Sequence, residues 1–481
     1  MEATTDDTLS LSDSLGEKVD AFLINKMREE HLPGVAIVVV KEGNVIYQKG
    51  YGVADVETGK KVDSDSTIFR IGSVSKALTI LGLTKLIDQG QISYEDDVTN
   101  YFGNIQNPFQ LKDTVKFRHI LTHTGGFEQF GIRRQILSFD LSLKDRKANR
   151  SSILTFAGRN LRRIRPAGSH FTYDTYGATL AGVLIERITG LSYSQAMKEL
   201  LFEPLGMSLS SVEVEMENMH LLAKRYGYNN GVYTTMPYEV YKTVPASSVD
   251  ATVADMGRLL EALTSNGSNK NGLLFSEKMM RQVLAPQYRP HPEFVGMTHG
   301  FWEGNVFGSR PTAFDVRTLG HGGVMLGTTC NLNIAPELNL GIFIVANRDA
   351  EAGGGGVSTW EVFNVIYDHF NIKKAPLFDI PSERDNLDLN EYAGNYYNGL
   401  FCHTCGEEAF RKGAWQRGAA IKIEANSASL VKAGLKYIPR GDDVFVRQDG
   451  KEMIFFGRNT DNKITFFVSS EDSTSFERID N

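Results

Sequence analysis

The chain has 481 residues, well beyond one average domain, so length alone calls for at least two folded units. It is 41% hydrophobic, 10% aromatic and 23% charged, a balance that excludes a disordered, collagen-like or disulfide-scaffold chain. The 51 basic and 58 acidic side chains leave a formal charge of −7, which gives no argument for nucleic-acid binding.

Residues 1–14 are polar and acidic and read as a loose tail. They lack the basic end and apolar stretch of a signal peptide, so the chain reads as cytoplasmic. Helical spacing follows at Val19, Phe22, Leu23 and Met27 and stops before Pro33-Gly34. Val35 to Val40 is a β-rich apolar run, too short to span a bilayer. The turn Glu42-Gly43-Asn44 and a return strand from Val45 to Tyr47 make it a hairpin. Ser73 to Gln89 is helical, with Gly90 as its stop. Residues 105–285 read as mainly helical, for example Ala178 to Ile188 and Val253 to Leu263. Thr329 to Ile334 and Leu340 to Val345 form a second hairpin around Pro336, and helical spacing returns from Trp360 to Phe370, after Gly353 to Gly356. A linker is expected over 373–387. Beyond it, short alternating segments (Ala419 to Glu424, Asp443 to Arg447, Met453 to Phe456, Lys463 to Val468) suggest a small antiparallel barrel or sandwich.

Three cysteines, Cys330, Cys402 and Cys405, fit a reducing compartment. Cys402-His403-Thr404-Cys405 resembles half of a zinc knuckle with no second pair to complete it, so no metal and no cofactor is expected. Between 131 and 166 ten basic residues face two acids, which suggests either a solvated face or a patch that steers an anionic substrate or surface.

The sharpest local feature is Gly72-Ser73-Val74-Ser75-Lys76 at a helix start. A spacing of three puts Ser73 and Lys76 on one helical face. A serine hydroxyl needs a neighbouring base to become a nucleophile, and lysine supplies one when burial lowers its pKa. The helix N-terminus adds a positive dipole end and a backbone N–H for a developing oxyanion.

Phe69 to Lys76, followed by Leu86-Ile-Asp-Gln-Gly90, resembles the nucleophile segment of the serine β-lactamase and penicillin-binding-protein superfamily, in its class C β-lactamase and esterase branch. Further segments are similar in the right order: Pro33-Gly34, Tyr51-Gly-Val-Ala-Asp55, Leu121-Thr-His-Thr-Gly-Gly-Phe127, Pro166-Ala-Gly168, Glu203-Pro-Leu-Gly-Met207, Ala251-Thr-Val-Ala-Asp255 and Gly320-His-Gly-Gly323. The resemblance runs from about residue 15 to 370.

It implies an α/β fold in which an antiparallel sheet from both ends of the domain is interrupted by a helical insertion, about 105–285. Tyr173, in Phe171-Thr-Tyr-Asp-Thr175, stands at the family's tyrosine and implies a proton shuttle beside Lys76. Thr175 replaces the family's asparagine; it can accept a bond from Lys76 but offers no amide to an acyl side chain. His321-Gly322-Gly323 resembles the histidine variant of the third motif. By the same analogy the amides of Ser73 and Val324 form the oxyanion hole, Gly323 lets substrate approach the strand edge, and His321 orients the Lys76–Tyr173 pair. His123 fixes a turn, and His299 and Trp302 lie near the pocket mouth or pack. The last segment, 388–481, resembles the lipocalin-like barrels appended to some relatives.

The implied function is a metal-free serine hydrolase acting through an acyl-enzyme on a small ester or peptide-like amide. Acyl transfer or thioesterase-type peptide cyclisation, and a weakly catalytic assembly scaffold, stand as alternatives. Homo-oligomerisation through the barrel is left open.

Overall fold

The structure is a computed structural model that describes residues 5–102, 109, 111–128, 136–138, 162–304, 314–349, 361–373, 377–382, 388–399, 420–470 and 475–478. Cys402 and Cys405, the glycine run at 353–356, much of the 373–387 linker and seven of the ten basic residues of 131–166 lie outside them.

The run Val35 to Val40 is apolar on every residue because its strand, Gly34–Lys41, is covered on both faces. Ala36, Val38 and Val40 point into one core, and Val35, Ile37 and Val39 into another. The strand lies inside a seven-stranded antiparallel sheet whose order is Trp302–Glu303, Leu319–Met325, Thr328–Ala335, Leu340–Ala346, Gly34–Lys41, Asn44–Asp55 and Lys60–Lys61. Strands from the two ends of this unit therefore meet at the pairing Val35↔Ala346 to Lys41↔Leu340. Helices Thr5–Glu29 and Val362–His369 pack together over one face. Helices Val74–Asp88 and Val253–Leu263 cover the other.

Two expectations need correction. The first helix begins at Thr5, inside the stretch read as a loose tail; acids close to a helix start favour the helix rather than oppose it. The 105–285 region is only partly helical. It holds the helices Thr175–Thr189, Val253–Leu263 and Glu277–Leu284, but also a hairpin, Arg225–Asn229 with Val232–Met236. Its turn residues Asn230 and Gly231 have φ of 49° and 86°, the positive pair that an Asn-Gly hairpin turn requires. A three-stranded sheet, Phe69–Arg70, Val249–Ala251 and Ser211–Val212, also crosses from the nucleophile segment into this half.

The C-terminal segment is a closed antiparallel barrel of eight strands from Gly394–Asn398 to Ser475–Arg478, and the first strand pairs with the last. Its interior is filled with side chains, among them Tyr396, Tyr437, Phe445, Phe456 and Phe467. Among the described residues no helix is long and apolar enough to cross a membrane, and no cluster of side chains suited to a metal occurs.

Candidate active site

Ser73 is the N-cap of helix Val74–Asp88, with φ −66° and ψ −13°, and its hydroxyl makes no capping bond. The helix is buried on nearly all sides, from Val74 to Thr84 without interruption, so it is apolar around its circumference rather than striped. The turn into it depends on Gly72, whose φ is +50°. A Cβ there would lie 2.9 Å from Met325 Cγ and 3.2 Å from both the amide nitrogen and the carbonyl oxygen of Val324. The start of the helix thus rests on the backbone of Val324, at the edge of the sheet.

One turn into the helix, Lys76 Nζ donates to Ser73 Oγ at 3.0 Å and to the carbonyl oxygen of Ala246 at 3.1 Å. The ammonium is enclosed, 2% exposed, and burial drives its pKa down to about 7, with the nearby Asp174 carboxylate opposing the shift. A fraction of the amine is therefore neutral near physiological pH. Tyr173 lies over it, Lys76 Nζ being 4.9 Å from the ring centroid. Burial pushes the Tyr173 phenol above its ordinary value, and a hydrogen bond with the Ser73 hydroxyl counters part of that rise. Serine hydroxyl, amine and phenol are in mutual reach.

Tyr173 ends an irregular stretch and Thr175 opens helix Thr175–Thr189, where it is buried. Between them Asp174 caps the helix, accepting from the Gly177 amide, and its other oxygen lies 3.3 Å from His123 Nδ1. His123 has a φ of +52°, its carbonyl accepts from Thr172 N at 3.0 Å, and its ring lies 5.1 Å from that of Tyr173. The histidine of the turn is thus tied to both neighbours of the phenol.

His321 stands on Leu319–Met325, buried, with Nδ1 donating to the carbonyl of Gly322 at 2.7 Å. Its ring centroid is 6.0 Å from that of Tyr173 and 6.3 Å from that of Trp302. Burial, reinforced by the Lys76 charge, takes its pKa down to about 3, so the ring is neutral at physiological pH. The neighbouring strand Trp302–Glu303 pairs with Leu319 and Gly320, and among the described residues no strand pairs with His321 to Met325 on that side, which faces Ser73. Val324 on that edge is 37% exposed. At Gly323 the fold itself demands the missing side chain: a Cβ would meet the Ile71 carbonyl oxygen at 2.2 Å and Cys330 Sγ at 2.7 Å.

The sequence-derived candidates Ser73, Lys76, Tyr173, Thr175, His321, Gly323 and Val324 converge at this junction. Trp302 joins them, 5.4 Å from the Tyr173 ring, in an aromatic wall with Phe171 and Met297. His299 does not: it is buried beside Tyr94, with 5.4 Å between ring centroids. Two partners escaped the sequence. The Ala246 carbonyl carries no side-chain signature, whereas Asp174, directly before an apolar helical run, was legible as a cap. Two arginines of the basic stretch belong neither to a solvated face nor to a steering patch. Arg163 and Arg165 are buried, Arg163 on Asp113 and the Gly125 carbonyl, Arg165 on Glu477.

Residues 19–364 match the family described as Beta-lactamase. Protein flp of Staphylococcus aureus (strain MRSA252) is 23% identical over 352 residues, covering 71% of this chain and 64% of that protein. The chain thus spans less than two thirds of that relative's length. Esterase EstB of Burkholderia gladioli is 30% identical over 205 residues, 40% of this chain and 50% of that one. In three dimensions the octameric penicillin-binding protein homologue from Pyrococcus abyssi superposes with a TM-score of 0.61 at 19% identity, over 96% of this chain and 99% of that one.

Proposed function

The chain belongs to the Beta-lactamase family, and on that premise we propose that it is a serine hydrolase that forms an acyl-enzyme on Ser73 with a small ester or peptide-like amide. The observation that carries this reading is the buried Lys76 amine, its pKa near 7, donating at 3.0 Å to a serine hydroxyl that caps no amide of its helix. Neutral Lys76 accepts the Ser73 proton as Oγ attacks the carbonyl carbon, directly or through the Tyr173 phenol. The negative charge then forms beside the helix N-terminus, where the amides of Ser73 and Val324 are the donors. Protonated Lys76 returns the proton through Tyr173 to the leaving oxygen or nitrogen. The same pair deprotonates the water that releases the acyl group. His321, kept neutral, adds no second positive charge to compete with that of protonated Lys76.

The aromatic wall of Phe171, Tyr173, Met297 and Trp302 supports a compact apolar acyl group. Threonine at 175 in place of an amide, and histidine at 321 in place of a lysine, favour esters over β-lactams. The test is intact-mass measurement after treatment with a fluorophosphonate, alongside turnover of p-nitrophenyl acetate and nitrocefin. One adduct on Ser73, absent in Ser73→Ala, with ester turnover faster than nitrocefin turnover, is expected. Absence of both adduct and ester turnover overturns the reading in favour of a scaffold. Faster product formation with added amine or alcohol, accompanied by its acylated form, redirects it to acyl transfer.

A further inference from the structure

We propose that the C-terminal barrel is a working part of this site: its last strand latches the segment that carries Tyr173, with Glu477 and Ser475 as positioning residues for the phenol. The proposal rests on the reading of Tyr173 as the group that moves protons beside Ser73.

The stretch Arg165–Tyr173 forms no helix or strand of its own. Its backbone is tied to the catalytic unit by Ala167 N to Asp113 Oδ2 at 2.7 Å, Gly168 N to Thr124 O at 2.7 Å, Thr172 N to His123 O at 3.0 Å and Arg163 Nη2 to Arg165 O at 3.3 Å. Strand Ser475–Arg478 supplies further ties. The Glu477 carboxylate takes a two-point bond from the Arg165 guanidinium, Nε to Oε1 and Nη2 to Oε2, the latter at 2.9 Å. It also meets His170 Nε2 at 2.9 Å. Ser475 Oγ donates to the Phe171 carbonyl at 2.9 Å, two residues before Tyr173. The His170 ring stacks on Phe466 of the barrel with centroids 4.4 Å apart, and Arg165 Nη2 reaches the Gly399 carbonyl at 3.3 Å.

The barrel also reaches the aromatic wall itself. Phe294 is buried among Val444, Val446, Met453, Phe466 and Val468 of the barrel. The loop bearing Phe294 is closed by Tyr288 and Met297, which bond reciprocally through their backbones. Met297 in turn packs in the wall with Phe171, Tyr173 and Trp302.

Apolar contact such as that around Phe294 is enough to hold two units together. A carboxylate buried at 14% side-chain exposure and shared between a guanidinium and an imidazole is costly unless it fixes a geometry. Here that geometry is the path of the chain immediately before the phenol. An error of about 1 Å in a catalytic group costs on the order of 100-fold in rate, so the latch has leverage on turnover.

The experiment uses the full chain with p-nitrophenyl acetate as probe, and compares Glu477→Gln, Ser475→Ala and Tyr173→Phe singly and combined. Glu477→Gln is expected to lower kcat by about 10- to 100-fold with KM within about twofold, and Ser475→Ala to lower it by a few-fold. In the Tyr173→Phe background each should add less than about twofold, because the group it positions is gone. Wild-type kcat in both latch variants beside an impaired Tyr173→Phe, or full addition of their losses to that of Tyr173→Phe, overturns the latch alone. Undiminished activity of Tyr173→Phe overturns the reading of the site and the latch with it. Should Glu477→Gln not fold, the Ser475→Ala pair decides by the same criteria.

Discussion

The two sides of the candidate site are built by opposite means. Ser73 and Lys76 ride on a helix enclosed by apolar packing, against Thr175–Thr189, the short helix Val244–Ser247 and the strand Leu319–Met325. Tyr173 sits at the end of an irregular segment whose place is set by individual hydrogen bonds and ion pairs: Asp174 with His123, Thr172 with His123, Arg165 and His170 with Glu477. Packing energy is spread over many contacts and absorbs single changes, whereas a polar tie is lost whole when one partner is removed. The nucleophile side is therefore tolerant of distant substitution. The phenol side carries ties that run to the barrel, through Glu477.

This contrast can be broken from either side. The largest effect is expected from Ser73→Ala, with loss of ester turnover by about 10³-fold or more and stability within about 0.5 kcal/mol, read by steady-state rates and thermal unfolding. Tyr173→Phe is expected to lower kcat by about 10²- to 10⁴-fold, the range for a lost proton carrier, while fluorophosphonate still finds Ser73 slowly. The pH–rate profile comes next. Lys76 acts as a base only when neutral, so kcat/KM should fall as pH drops below about 7, close to tenfold per unit, and level off above it. A rising limb nearer pH 10 would show that the amine is not desolvated as described.

Gly323→Ala sharpens the comparison on the nucleophile side, because the added methyl meets the Ile71 backbone rather than a side chain that can swing away. A cost of about 1–3 kcal/mol in denaturant unfolding is expected, together with a lowered kcat as the turn before Ser73 shifts. The smallest effect belongs to Asp174→Ala. Loss of the helix cap costs about 1 kcal/mol, and a kcat loss beyond that of a cap mutation elsewhere in the chain would show that the His123 tie serves Tyr173.

Legibility followed the range of the interaction. Ser73 and Lys76 are readable as a pair because they lie three positions apart at the start of one helix. The run Val35 to Val40 announced a strand buried on both faces, and the short alternating segments after 419 announced the barrel strands. The hairpin at Asn230-Gly231 is written in its turn dipeptide, inside a region whose longer apolar repeats, Ala178 to Ile188 and Val253 to Leu263, read as helical. The polar, acidic first residues read as a loose tail, although acids suit the start of the helix that begins at Thr5. Gly323 is legible as a glycine on a strand edge, but the Ile71 carbonyl that requires it is 252 positions earlier in the chain and invisible from local pattern.

By itself the sequence determined the chemistry available to this protein: a serine, a lysine at helical spacing, a tyrosine and a histidine, carried on an α/β unit with a small β domain behind it. These follow from residue identity and short-range periodicity, which the backbone enforces locally. Tertiary structure alone decided how that chemistry is tuned. Burial lowers the Lys76 pKa, the Ala246 carbonyl takes its second hydrogen bond, and a carboxylate 312 residues from Arg165 holds the approach to Tyr173. Desolvation and long-range polar pairing depend on which segments the fold brings together, and no window of sequence contains both partners.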